Sequence, residues 1–139
     1  MSQRNDVEPL VTIGVEMSGS DGTILIAEDE SMIRALIVDA LTEAGYTVIE
    51  ASNGTEALAL LNRPDHITLI VTDINMPGLN GIDMARVVRR DKPDLPILFA
   101  SARGDLLGDS DLARPYNIIS KPFRLDELVR RVQGLLERP

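Results

Sequence analysis

The chain has 139 residues, which is enough for about one domain, and 44% of its residues are hydrophobic while 26% are charged. It contains no Cys and a single His, which excludes disulfides, thiolate catalysis and zinc sites built on Cys or on several His. Its apolar runs are too short to span a membrane, and 22 acidic against 14 basic residues give a net charge of −8. We therefore expect proteins and small cations as partners, and neither nucleic acid nor a membrane.

Residues 1–22 contain no basic segment followed by a long apolar one, and they end in a small polar run from Ser18 to Gly22. We interpret them as a flexible leader, with an extra helix or a docking segment as the alternative. The domain itself is then expected to cover residues 23–139.

Five short apolar runs follow the leader, each of a length typical of a buried strand. They are ILIA (24–27), YTVIE (46–50), ITLIV (67–71), PILFA (96–100) and NIIS (117–120). Because only 3% of the residues are aromatic, the core must be aliphatic, which suits strands that are buried on both faces.

Helical patterns separate these runs and follow the last one. The predicted helices are 33–44, 55–62, 81–91, a short or frayed segment from Asp105 to Arg114, and 125–136. Gly45 stands where the first helix would end, while Asn53 with Glu56, and later Asn80, are placed to cap the next two. Alternating strands and helices of this kind predict an α/β fold, a doubly wound five-stranded parallel sheet with helices on both faces.

Ligands in such sheets bind outside the carboxyl ends of the strands. The polar residues at those ends are Glu28, Asp29 and Glu30 after the first strand, Asp73 after the third, Ser101 after the fourth, and Ser120 and Lys121 after the fifth. Each alone is an ordinary turn or cap residue. Together they predict a cluster at one edge of the sheet.

Carboxylates about 4 Å apart repel each other by roughly 1 kcal/mol in water and by about 4 at an effective dielectric of 20, so such a cluster needs a cation. Oxygen ligands without Cys or His favour Mg²⁺. The first loop, AEDES, lacks the glycines of a dinucleotide or P-loop site. Asp73 is instead a candidate nucleophile for an acyl phosphate, with Lys121 and Ser101 placed to stabilise the phosphoryl charge.

Four motifs in this order resemble the receiver domain of bacterial two-component response regulators, over about Thr23 to Arg138. They are ILIAEDE (24–30), TDINMPGLNG (72–81), FASA (99–102) and SKPF (120–123). The resemblance implies a flavodoxin-like receiver fold with strand order 2-1-3-4-5.

The resemblance also implies a role for each matching residue. The Mg²⁺ ligands would be the carboxylates of Glu28, Asp29 and Asp73 and the backbone carbonyl of Asn75. Asp73 would be the phosphoacceptor, Ser101 the switch hydroxyl, and Lys121 the cation that pairs with the phosphoryl group. A cis peptide to Pro122 would follow Lys121.

The function implied is transfer of a phosphoryl group from a sensor histidine kinase or a histidine phosphotransfer protein to Asp73, in the cytoplasm and with Mg²⁺. The protein would not be an enzyme beyond its own phosphorylation and dephosphorylation. Modification would rearrange the face formed by the fourth helical segment, the fifth strand and the last helix, and so alter affinity for a downstream protein or support a homodimer. Only 18 residues follow Lys121, so we expect a stand-alone receiver.

Two departures from the family pattern affect the output face. Ile118 stands where the family usually has an aromatic switch, and Tyr116 is off phase for that role; the stretch from Ser101 to Lys121 is also short. The alternatives are a pseudo-receiver adaptor that is not phosphorylated and a receiver fragment of a hybrid kinase. A phosphatase of the haloacid dehalogenase kind is disfavoured because Asn75 stands where it needs a second acid.

Overall fold

Strands and helices alternate along the part of the chain that the computed structural model describes, which is residues 22–63, 66–108, 112 and 117–137. The elements are β1 (Thr23–Ala27), α1 (Ser31–Glu43), β2 (Thr47–Ala51), α2 (Gly54–Leu61), β3 (Ile67–Thr72), α3 (Gly81–Asp91), β4 (Ile97–Ser101), a 3₁₀ helix (Gly104–Leu107), β5 (Ile118–Ser120) and α4 (Leu125–Leu136). The predicted leader lies outside the described residues except for Gly22. Within those residues no helix combines the length and apolar content needed to cross a membrane.

The five strands form one sheet in the order β2-β1-β3-β4-β5, and every neighbouring pair is parallel. This confirms the predicted α/β fold class and the strand order that the resemblance implies. Ala27 at the end of β1 pairs with Thr72 of β3, and Ser101 at the end of β4 pairs with Ser120 of β5. The residues that follow these strands therefore meet at one edge of the sheet.

The core consists of two apolar layers, one on each face of the sheet. Leu25 and Ala27 of β1 pack in the layer that contains residues of α2 and α3, while Ile24 and Ile26 pack in the layer that contains residues of α1 and α4. Because both faces are covered, all four side chains are buried, which explains the uninterrupted apolar run in the sequence.

The helix boundaries follow the predicted caps. Asn53 Oδ1 accepts a hydrogen bond from Glu56 N at 2.8 Å, and Asn80 Oδ1 accepts one from Asp83 N at 2.9 Å. The Glu56 carboxylate turns back to Ser52 N at 2.6 Å, one residue earlier than in a capping box, and this bond lowers the pKa of Glu56.

The predicted fourth helical segment is reduced to the 3₁₀ helix Gly104–Leu107 in the described residues. Gly108 follows it with a φ of +49°, a conformation that favours glycine and that ends the turn. Of the remaining residues in that predicted segment, only Leu112 is described, and it is buried. Residues 109–111 and 113–116, which include Tyr116, lie outside the described residues.

Gly81 lets the start of α3 lie directly against the end of β3. A Cβ atom built on Gly81 would collide with the backbone carbonyl of Asp73, whereas one built on Gly134 in α4 would meet nothing within 4 Å. The loop from Asp73 to Gly81 is further closed by a hydrogen bond from Gly81 N to Ile74 O at 2.8 Å. The absence of a side chain at position 81 thus fixes the backbone on which Asp73 stands.

We predict that Gly81→Ala lowers the free energy of unfolding by about 1–3 kcal/mol, because the backbone on both sides of the contact must shift. Gly134→Ala, the matched control in an exposed helix position, should raise it by roughly 0.5–1 kcal/mol. Urea denaturation of both variants measures the difference, and equal effects of the two substitutions would contradict the close approach.

Candidate functional site

The ammonium group of Lys121 joins two carboxylates at the carboxyl edge of the sheet. Lys121 Nζ donates to Glu28 Oε1 at 2.7 Å and to Asp73 Oδ2 at 2.8 Å. The three residues follow β1, β3 and β5, and they are far apart in sequence. The order of the strands brings them to the same edge of the sheet, because β1 and β3 are neighbours and only β4 separates β3 from β5.

Asp73 is held on each of its carboxylate oxygens. Oδ1 accepts hydrogen bonds from the amides of Ile74 at 2.6 Å and Asn75 at 3.3 Å, while Oδ2 accepts from Lys121. Its own amide donates to Ala27 O at 3.0 Å, which continues the pairing of β3 with β1. Asp73 is 8% exposed, so its carboxylate is fixed in place and still reaches the surface.

Glu28 is more deeply buried than Asp73, with 2% of its surface exposed. Its side-chain Oε2 accepts a hydrogen bond from Glu30 N at 3.1 Å, and its backbone amide donates to Ala51 O at 3.0 Å. Its backbone carbonyl accepts from Arg34 Nη1 at 2.7 Å. Glu28 is therefore fixed through its amide, its carbonyl and both carboxylate oxygens.

Burial and charge act in opposite directions on this pair. Burial raises the pKa of the Glu28 carboxyl, an effect that the hydrogen bond from Lys121 only partly offsets. Burial alone would lower the pKa of Lys121, but its hydrogen bonds to Asp73 and Glu28 outweigh this and leave the pKa raised. Lys121 therefore remains a cation across the neutral range.

Glu28, Asp29 and Asp73 can present three oxygens to one metal ion, because one carboxylate oxygen of each lies within 4.8 Å of the others. The donors are all oxygen and include no Cys or His, which fits Mg²⁺. Asp29 is exposed while Glu28 and Asp73 are buried, so the cluster opens to solvent on the Asp29 side, where water can complete the coordination. The residues present thus fit the ion that the resemblance implies.

Two other predicted site residues lie beside this cluster. Asn75 is exposed and lies two residues after Asp73, and its backbone N–H donates to Asp73 Oδ1. Ser101 is buried at the end of β4, and its hydroxyl oxygen accepts a hydrogen bond from Arg103 N at 3.0 Å. Its backbone carbonyl accepts from Lys121 N at 3.1 Å, which ties the end of β4 to the lysine. The peptide between Lys121 and Pro122 is cis, as the resemblance implies.

The structure adds Arg34 to the surroundings of the site, which the sequence analysis missed. Arg34 lies in the first turns of α1 among apolar residues, and its guanidinium contacts both the Glu28 carbonyl and the Glu50 carboxylate of β2. The available signal was a basic residue close to the amino end of a helix, where the helix dipole disfavours positive charge. The contacts themselves require knowledge of where β2 lies.

Comparison with known proteins agrees with this geometry. Residues 24–133 match the family model described as response regulator receiver domain. The response regulator receiver protein CpdR of Brucella abortus is 40% identical over 115 residues, which cover 81% of this chain and 95% of CpdR. The solved response regulator protein TrrA of Thermotoga maritima, in complex with Mg²⁺–BeF, is 34% identical with a TM-score of 0.73, and the match covers 82% of this chain and 98% of TrrA.

Other relatives are longer than this chain. A probable transcriptional regulatory protein of Picosynechococcus is 38% identical over 137 residues, which cover 91% of this chain and 53% of that protein. The chain thus spans about half the length of several curated relatives that it matches.

A five-stranded parallel sheet with a carboxylate cluster and a lysine at its carboxyl edge defines a two-component receiver. The chain belongs to the response regulator receiver domain family.

We predict that Glu28 and Lys121 are energetically coupled in the metal-free protein. Glu28→Gln changes the free energy of unfolding by one amount in the wild type and by another in Lys121→Met. We expect the change in Lys121→Met to be more favourable by about 1–3 kcal/mol, because there the substitution removes a buried carboxylate that has lost its ammonium partner. A double-mutant cycle by urea denaturation in the presence of a chelator measures this coupling.

The exposed pair of Arg90 and Asp91, 3.1 Å apart, serves as the control cycle, with Arg90→Met and Asp91→Asn. Solvent screens this pair, so its coupling should be close to zero. Additive effects at Glu28 and Lys121 would contradict the ion pair that the structure shows.

Proposed function

We propose that this protein accepts a phosphoryl group on Asp73 from the phosphohistidine of a sensor histidine kinase or a histidine phosphotransfer protein, with Mg²⁺ as its cofactor. The observation that carries the proposal is the contact of Lys121 with both Asp73 and Glu28 at a sheet edge that opens on Asp29. The likeness to TrrA, which was solved with Mg²⁺–BeF, supports the choice of metal and of phosphoryl chemistry.

The transfer requires one bond to form and one to break. An Asp73 carboxylate oxygen bonds to phosphorus while the phosphorus–nitrogen bond of the phosphohistidine breaks, and the electron pair of that bond returns to the imidazole. The hydrogen bonds from Ile74 N, Asn75 N and Lys121 hold the carboxylate in one orientation, so little reorganisation precedes attack.

The remaining groups neutralise charge around the phosphoryl oxygens. The carboxylates of Glu28, Asp29 and Asp73 and the backbone carbonyl of Asn75 would hold Mg²⁺, which when bound supplies positive charge to the attacking and phosphoryl oxygens. Lys121 would exchange its contact with Asp73 for one with a phosphoryl oxygen. The Ser101 hydroxyl would turn from Arg103 N and donate a hydrogen bond to another.

Phosphorylation of Asp73 would alter affinity for a downstream protein through the edge of the sheet that carries Ser101 and Lys121. The added charge and acceptor oxygens act on Ser101, whose carbonyl already binds Lys121 N, and through both residues on β4 and β5. Ile118 at the start of β5 is half-buried and packs against the core layer that contains Phe99. Because Ile118 is not aromatic, the proposed rearrangement would not use an aromatic switch at this position.

The organisation that we propose is a receiver domain over residues 23–139, preceded by a leader over 1–22, acting in the cytoplasm. The match to CpdR over 95% of its length supports a stand-alone receiver, while the longer relatives leave a receiver within a larger protein as the alternative. A homodimer through the face formed by the fourth helical segment, β5 and α4 is a further part of the proposal.

We predict that Asp73→Asn abolishes labelling by acetyl phosphate in the presence of Mg²⁺, because the amide cannot act as the nucleophile. Intact-protein mass spectrometry would detect one added phosphoryl group in the wild type and none in the variant. Asp39→Asn, at an exposed position on α1, is the matched control and should label like the wild type. Labelling of Asp73→Asn at the wild-type level would assign the phosphoacceptor to another residue.

We predict that Asp29→Ala weakens Mg²⁺ binding at least about tenfold, since it removes one of the three converging carboxylates and leaves the two buried ones in place. Isothermal titration with Mg²⁺ measures the affinity. Glu43→Gln, at the exposed end of α1, removes the same charge far from the cluster and should change the affinity little. A wild-type titration curve for Asp29→Ala would show that Asp29 is not a ligand.

A further inference from the structure

We infer that Arg34 is a positioning residue for the Mg²⁺ site, acting through the peptide group that joins Glu28 to Asp29. Arg34 Nη1 donates to the Glu28 carbonyl at 2.7 Å, and Arg34 Nε donates to Glu50 Oε1 at 3.0 Å. The inference rests on the Mg²⁺ site of the proposed function and extends it to a residue that is not itself a ligand.

The point of contact explains the effect. A peptide group is planar, so fixing the Glu28 carbonyl oxygen also fixes the orientation of the Asp29 amide in the same plane. The side chains of Glu28 and Asp29 branch from the Cα atoms at the two ends of this peptide group. Asp29 is exposed, and its position therefore depends on the backbone of its own loop.

The guanidinium is well placed to hold that plane. Its side chain is 19% exposed, and the second contact with Glu50 anchors it to β2, whose Ala51 carbonyl also binds the amide of Glu28. Glu28 is therefore attached to β2 twice, directly through its backbone amide and indirectly through its backbone carbonyl and Arg34. A two-point contact of this kind needs the rigid fork of arginine.

Charge alone does not account for Arg34 at this position. A cation close to the amino end of α1 opposes the helix dipole, and a cation beside a metal site repels the metal. Glu50 offsets that charge at 3.0 Å, so the pair holds the carbonyl without adding a net positive charge. Positioning and electrostatics consequently predict opposite effects when Arg34 is replaced: weaker Mg²⁺ binding in the first case and tighter binding in the second.

Arg89 provides a matched control within the same chain. It is also half-buried, and its Nη1 donates to the backbone carbonyls of Pro93 at 2.7 Å and Leu95 at 2.9 Å. These carbonyls precede β4 and lie at the amino edge of the sheet, opposite the carboxylate cluster. Loss of either arginine removes a contact between a guanidinium and a loop carbonyl, but only Arg34 holds the loop of the metal ligands.

The experiment is an isothermal titration with Mg²⁺ of the wild type, Arg34→Met, Arg34→Lys and Arg89→Met. We expect Arg34→Met to lose about tenfold in affinity, within the range seen when groups that orient metal ligands are removed, and Arg89→Met to keep the wild-type affinity. Arg34→Lys should also lose affinity, because a single ammonium cannot contact Glu28 and Glu50 as the fork does. Unchanged or tighter binding in Arg34→Met, or wild-type affinity in Arg34→Lys, would overturn the inference.

Amide hydrogen exchange without metal separates this inference from the proposed function. Exchange at Glu30 N, which is bonded to the Glu28 carboxylate, should accelerate in both Arg34 variants and not in Arg89→Met. A wild-type protein that binds no Mg²⁺ would refute the metal site, and the exchange data would still decide whether Arg34 orders the loop. Unchanged exchange in both Arg34 variants would refute the role of Arg34 whatever the metal affinity.

Discussion

The site depends on one ammonium group placed between two carboxylates that the fold forces together. Glu28 and Asp73 are buried at the ends of neighbouring strands, and without a cation their charges would destabilise the edge of the sheet. Lys121 reaches both from β5, two strands away from β3. The same negative charge that Lys121 balances can attract a divalent ion on the open Asp29 side. Stability of the metal-free protein and the proposed affinity for Mg²⁺ would thus depend on one cluster.

The rest of the molecule holds this cluster rigid. The two apolar layers fix the strands, so the positions after β1, β3 and β5 cannot move independently. Gly81 allows α3 to begin directly against Asp73, and the amides of Ile74 and Asn75 orient its carboxylate. The Ser101 hydroxyl accepts its hydrogen bond from Arg103 N, and the proposed switch would replace that partner. A fixed carboxylate at Asp73 beside a hydroxyl that would change partner is the arrangement that the proposed phosphorylation switch requires.

Much of this architecture is readable from the sequence because it depends on local patterns. Uninterrupted apolar runs predict strands that are buried on both faces, and Asn53 and Asn80 mark two helix starts to within a residue. The order of the strands depends on pairing between segments distant in sequence, so it came from the resemblance and not from the pattern. The rule that ligands bind at strand ends placed Glu28, Asp73 and Lys121 at one edge, but their hydrogen bonds depend on side-chain conformations. Arg34 was missed for the same reason, since its contact with Glu50 depends on how the side chain leaves α1 and reaches β2.

The most direct test of the account is a crystal structure with Mn²⁺ in place of Mg²⁺, because Mn²⁺ accepts the same oxygen ligands and can be located by its anomalous scattering. We expect one strong peak among Glu28, Asp29 and Asp73, at about 2.0–2.2 Å from their carboxylate oxygens, with the Lys121 ammonium still beside Asp73 or Glu28. A peak elsewhere on the surface, with the three carboxylates no closer to it than other acidic residues, would contradict the claim that this edge of the sheet is built to bind a divalent ion beside Asp73.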